Sequence, residues 1–103
     1  MKLIRDLEEA IEDEIHDIKK YAKWAAEVKE DYPTLAQVLF NISIQEDGHR
    51  AAIHNEVVKL IEEYRKTHGE PPAAMLSVYD YLHKRSIDKL AEARRYQELF
   101  KNM

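Results

Sequence analysis

Apolar residues recur at steps of three and four along most of the chain, the period of helices that each bury one face. From Leu3 to about residue 31 they fall at Ile4, Leu7, Ile11, Ile18, Tyr21, Ala25 and Val28. The stripe has one gap, at position 14, where the stepping asks for an apolar side chain and the residue is Glu14. A second stripe runs through Leu39, Ile42, Glu46, His49, Ile53, Val57 and Leu60, so a carboxylate and an imidazole hold positions that would ordinarily face a core. Between the two, Asp31-Tyr32-Pro33-Thr34 breaks the period. Pro33 suits the first position of a helix and disfavours helix in the residue before it. The second helix is expected to end at Thr67-His68-Gly69, with Pro71-Pro72 preventing continuation. A third segment places Leu76, Tyr79, Leu82, Leu90, Ala93 and Phe100 on one side, interrupted by His83, Ser86 and Gln97. It predicts a helix that caps the first two or packs on a partner chain. The pattern therefore predicts an all-α chain with helices over about 3–31, 33–66 and 73–101. The short first connection makes the first two an antiparallel hairpin.

Length and charge narrow the picture. One hundred and three residues predict a single domain spanning 1–103. A chain this short buries only a little over ~60% of its unfolded surface, so a homodimer or higher homo-oligomer is the expectation. The net charge of -4 is spread over mixed signs with no basic block, which leaves no electrostatic footprint for nucleic acid. Absence of cysteine excludes a disulfide framework and a thiolate zinc site. Acidic residues begin at Asp6, too early for the apolar region of a secretion signal, and no apolar run approaches a membrane span. The expectation is a cytoplasmic protein.

The candidate chemistry lies in the two interrupted stripes. Glu46 and His49 are three residues apart and share a helix face, which is metal-ligand spacing. Counting ~1.5 Å per residue from the turn puts Glu14 about 26 Å down the first helix, with Glu46 and His49 about 20 and 24 Å down the second. All three stand at one level of an antiparallel pair. Two carboxylates drawn together in a water-poor place repel, and a divalent cation relieves that repulsion. A metal-free alternative stays open, in which a charged His49 pairs with a glutamate in a buried polar network. Elsewhere His54 is read as a surface or edge residue, His68 as solvated, and His83 as facing the bundle without a carboxylate at helical spacing. Trp24, Tyr64, Tyr79 and Tyr81 read as packing aromatics. Glu8-Glu9 with Glu12-Asp13, and Lys84-Arg85 with Arg94-Arg95, read as solvated faces.

A carboxylate on one helix followed by Glu-x-x-His on the next is half of the di-iron carboxylate pattern of four-helix bundles. On Glu14-Ile15-His16-Asp17-Ile18-Lys19-Lys20-Tyr21 and Glu46-Asp47-Gly48-His49, the chain resembles the ferritin-like superfamily over its first two helices. Within it the chain is most similar to the short encapsulated-ferritin group, with rubrerythrin as the broader relative. The resemblance implies a ferritin-like four-helix-type bundle completed by dimerisation, with Glu14, Glu46 and His49 of two chains holding two irons at the interface. It also implies oxidation of Fe(II) by dioxygen, for iron storage or detoxification. Tyr21 matches an aromatic beside the catalytic ligands, and Asp13 and His16 match metal-attracting side chains outside it. Oxygen and nitrogen ligands equally suit manganese, so a manganese or mixed-metal oxidase or peroxidase is a further reading. An encapsulin-type shell is a partner that goes with the resemblance, although Gln97-Glu98-Leu99-Phe100-Lys101-Asn102-Met103 does not look like an encapsulin-targeting peptide. The rival from a different class is a metal-free helical module for self-association or protein interaction.

Overall fold

A computed structural model of the chain describes residues 2–103. Three helices carry it: α1 (Lys2–Val28), α2 (Pro33–His68) and α3 (Ala73–Lys101). α1 stops at Val28 rather than near residue 31; one last α-type turn, with the Tyr32 amide on the Val28 carbonyl at 2.8 Å, leads to Pro33, which disfavours helix in the residue before it. α2 begins at Pro33 as expected and runs to His68. It ends at Gly69, whose φ of 79° lies in the left-handed region and whose amide donates to the Arg65 carbonyl at 3.0 Å. None of the described helices is long and apolar enough to cross a membrane.

The three helices form an elongated body of 56 × 19 × 18 Å with α1 in the middle. α2 folds back antiparallel along one flank of α1. α3 lies along the other flank and barely touches α2. Ion pairs from Glu12 to Arg85 and Lys89, and from Lys19 to Glu92, advance together along both helices, so α3 runs parallel to α1. It thus packs along the hairpin instead of capping its end.

Two neighbours give α1 a wide buried arc: Ile4, Glu8, Ile11, Ile15, Ile18, Ala22 and Ala25. Ile4, Ile11, Ile15 and Ile18 meet Val57 of α2 and Ala93 of α3. Near the first turn a second cluster joins Ala25, Ala36, Leu39, Phe40 and Phe100, with the two phenyl rings stacked at 4.4 Å. Alanines at these crossings let the backbones approach closely.

The expected stripe of α2 is corrected by this arrangement. The buried residues of α2 are Ala36, Leu39, Phe40, Ser43 and Val57. Ile42, Glu46 and Ile53 are half-buried and His49 is exposed, because the core face is rotated toward Ser43 and the stripe lies at its margin.

Polar residues in the core are matched across helices. Ser43 donates to the Ile18 carbonyl at 2.7 Å and accepts from the Gln97 amide at 3.0 Å, tying α2 to both other helices. Ser86 and Gln97, which interrupt the stripe of α3, are buried within its packed face.

The charged runs also need correction. Glu8 is 1% exposed, beneath α3. Glu12 is held by Arg85 and Lys89; burial alone would raise its carboxyl, but those hydrogen bonds outweigh it and keep it below the ordinary carboxylate range. Arg94 reaches Asp47 across the bundle at 3.5 Å. His54 is half-buried, its ring stacked on His83 at 5.5 Å.

Replacing Ser43 with Ala strands the buried Gln97 amide. Urea unfolding should show a loss of about 1–3 kcal/mol for Ser43→Ala, and an unchanged midpoint would mean that the three-helix link carries no stability.

Candidate metal centre

Glu14 comes from the middle of α1, and Glu46 and His49 from successive turns of α2. Antiparallel packing brings them to one level, as the residue count from the turn requires. His49 Nδ1 lies 3.8 Å from Glu14 Oε2 and 3.6 Å from Glu46 Oε2. One ligand atom from each residue lies within 4.8 Å of the others, and among the described residues this is the group of acidic and histidine side chains that converges so. Bonds of about 2.0–2.2 Å to one ion put neighbouring ligand atoms roughly 3–4 Å apart, which matches both distances.

The burial of the trio is graded. The side chains of Glu14 and Glu46 are 24% and 20% exposed, whereas that of His49 is 62% exposed. The site is therefore an edge with a dry floor and an open mouth. Leu35 and Val38, about three to four turns before His49 on the same face of α2, are exposed as well, so that face carries uncovered apolar surface away from the mouth.

The electrostatics show what is missing. Glu14 is pushed up to about 7, first because its proton can be hydrogen-bonded to Glu46, then by burial and by the Glu46 charge; His49 pulls the other way, and Asp17 adds a smaller push upward. When Glu14 is ionised, its buried Oε2 has no hydrogen-bond donor. A proton or a cation must answer that charge. A carboxylate pair with an imidazole suits a divalent metal of the iron or manganese type.

Other expected site residues are placed elsewhere. Tyr21 sits two turns along α1, packed on the cluster around Ala25 and Leu39 with its ring 6.4 Å from Trp24. Asp13 and His16 are exposed and line a shallow depression with Glu9, Glu12 and Lys89, on a flank of α1 turned away from Glu14. They are not brought to the trio. Asp17, three residues from Glu14 on the same helix, adds only the smaller push named above, and the same helical spacing that marked Glu46 and His49 was the signal available for it.

A family model described as Rubrerythrin matches residues 6–103. The chain belongs to the rubrerythrin family. Curated proteins and solved structures give no match. Membership in this ferritin-like family accounts for the all-α fold and points to a di-iron protein. At the trio the chain offers three residues that could hold a metal ion.

Glu14 binds its proton more tightly in the folded than in the unfolded chain. Its stabilising contribution is full below the ordinary carboxylate range and is lost as pH rises through about 7. Denaturation of the metal-free protein at about pH 5 and about pH 8 should show a larger drop in stability for the unaltered chain than for Glu14→Gln. Metal affinity, which requires loss of that proton, should climb over the same interval.

Proposed function

We propose that this rubrerythrin-family protein is a ferroxidase whose substrate Fe(II) is oxidised by dioxygen at a di-iron site shared between two copies of the chain. The observation that carries the reading is the convergence of Glu14, Glu46 and His49 within 4.8 Å at an exposed edge. Three ligand residues leave an ion coordinatively unsaturated, and a second copy placed against the same face doubles the set. Exposed Leu35 and Val38, on the His49 face of α2 but about three to four turns nearer its start, supply apolar surface for such a two-fold contact, and the thin core of a single chain favours it.

Each residue then has a defined task. Glu14 gives up its proton as Fe(II) binds and thereafter supplies a charged oxygen. Glu46, half-buried beside Glu14, would supply carboxylate oxygen to the bound iron. His49 supplies a nitrogen from the open side. Two Fe(II) ions each give one electron to dioxygen, which takes up two protons from solvent and leaves as hydrogen peroxide, and the ions leave as Fe(III). Ile18 and Val57, both fully buried, keep the interior behind the site apolar. The metal-free module remains a competitor on one observation: the proton that Glu14 can share with Glu46 relieves their repulsion without an ion.

Stopped-flow oxidation of Fe(II), with native mass measurement of the same sample, tests the reading. The unaltered protein should run as a dimer or larger assembly, bind two irons per pair of chains and consume dioxygen. Glu46→Ala and His49→Ala should each slow the oxidation by more than about 10-fold while remaining helical. Undiminished oxidation in both variants would remove the ferroxidase. Unchanged self-association and raised stability in an iron-free Glu46→Ala would instead favour the interaction module.

A further inference from the structure

A second polar chamber lies between all three helices, away from the trio. Its volume is about 290 Å³, and α1 contributes Glu8, α2 His54, and α3 His83 and Ser86. Glu8 is 1% exposed, yet neither of its carboxylate oxygens has a hydrogen-bond partner. The buried Ser86 hydroxyl lining the same chamber is also without one. Burial without partners costs free energy, so these three oxygens point to something that belongs between them.

The donors indicate its chemistry. Burial raises the Glu8 carboxyl, and the attraction of His83 opposes that. Burial, with the neighbouring His83 and Arg50, lowers His54, which keeps its imidazole neutral and a nitrogen lone pair free near neutral pH. Two other groups lining the chamber, Arg50 and Arg94, are directed to the Asp47 carboxylate at 2.8 and 3.5 Å, so their charge is largely answered there. An anion would find these guanidiniums engaged and a carboxyl group facing it. Two imidazoles with one carboxylate are, by contrast, a common donor set for divalent first-row metals.

The geometry is open. The His54 and His83 rings stack with 14° between their planes, so their in-plane nitrogens run side by side rather than converging. In this arrangement Glu8, His54 and His83 do not converge as the trio does, and holding one ion together requires a ring to turn about its side-chain torsions.

We propose that this chamber is a second metal site, in which Glu8, His54 and His83 bind one divalent first-row transition ion, with Ser86 beside it. Each ligand comes from a different helix, so the ion clamps α3 onto the hairpin across the line where α2 and α3 barely meet. The site is independent of iron oxidation at the trio. Its role is to make the packing of α3 metal-dependent.

Cobalt is the probe, because its visible absorption reports nitrogen and oxygen ligation. The full chain should bind two Co²⁺ per chain, one at each site, and Glu8→Gln should bind one. In a Glu14→Ala/Glu46→Ala/His49→Ala background, one Co²⁺ should remain. Adding Glu8→Gln or His83→Ala to it should weaken that binding by more than about 100-fold, beyond the effect of losing an outer hydrogen-bond partner. Zn²⁺ should raise the melting temperature of that background and not of its Glu8→Gln derivative. Equal cobalt counts in the unaltered and Glu8→Gln proteins would overturn the site and leave a chamber filled by water. Should the triple variant fail to fold, the counts on the otherwise unaltered chain decide alone. Glu8→Gln and His83→Ala should keep Fe(II) oxidation at the trio, which separates failure of this site from failure of the ferroxidase reading.

Discussion

The structure depends on α1 having a neighbour on both flanks. A helix packed on one side buries a single narrow stripe, and a helix packed on two must bury an arc. On α1 the arc is centred on Ile11, Ile18 and Ala22, and its two margins are carboxylates. Glu14 lies on the margin shared with α2, Glu8 on the margin beneath α3. Two acids on one helix thereby enter different surroundings, although both face partners on the helix they meet.

At the Glu14 margin the opposing helix supplies another acid and an imidazole. The repulsion between Glu14 and Glu46 is relieved either by a proton or by a cation, and the two compete for the same oxygen. This competition ties the metal chemistry to pH without a separate sensor. His49 is the exposed member of the trio, so the site opens to solvent on its side. The margin of a two-helix contact is where side chains are half-dry, and a half-dry carboxylate is a better metal ligand than one in bulk water.

α3 organises the opposite margin. It covers Glu8, engages Glu12 through Arg85 and Lys89, and places Gln97 where Ser43 can accept its amide. These contacts fix its parallel course along α1 through polar pairing as much as through the small apolar face around Ala93 and Phe100. The sparse meeting of α2 and α3 leaves the chamber between them, and the residues turned into it are the ones that the hairpin alone would have left in water.

Much of this was legible in the sequence. The helical period, Pro33, Gly69 and the paired prolines placed three helices and their ends. The level of Glu14, Glu46 and His49 followed from counting residues on either side of the turn, because helix rise is constant and the connection is short. The resemblance rests on the stretches around the same three residues, and the match over residues 6–103 bears it out at the level of the ferritin-like superfamily and rubrerythrin, not of the encapsulated-ferritin group. Periodicity, however, shows only that a stripe exists, and it cannot say how far a third helix widens that stripe or rotates its partner's. For that reason Glu8 looked solvated and is buried, while His49 looked buried and is open. Local sequence determines which residues share a face, since that follows from the geometry of one helix. Which faces become interior depends on where every other helix lies, and only the tertiary structure holds that.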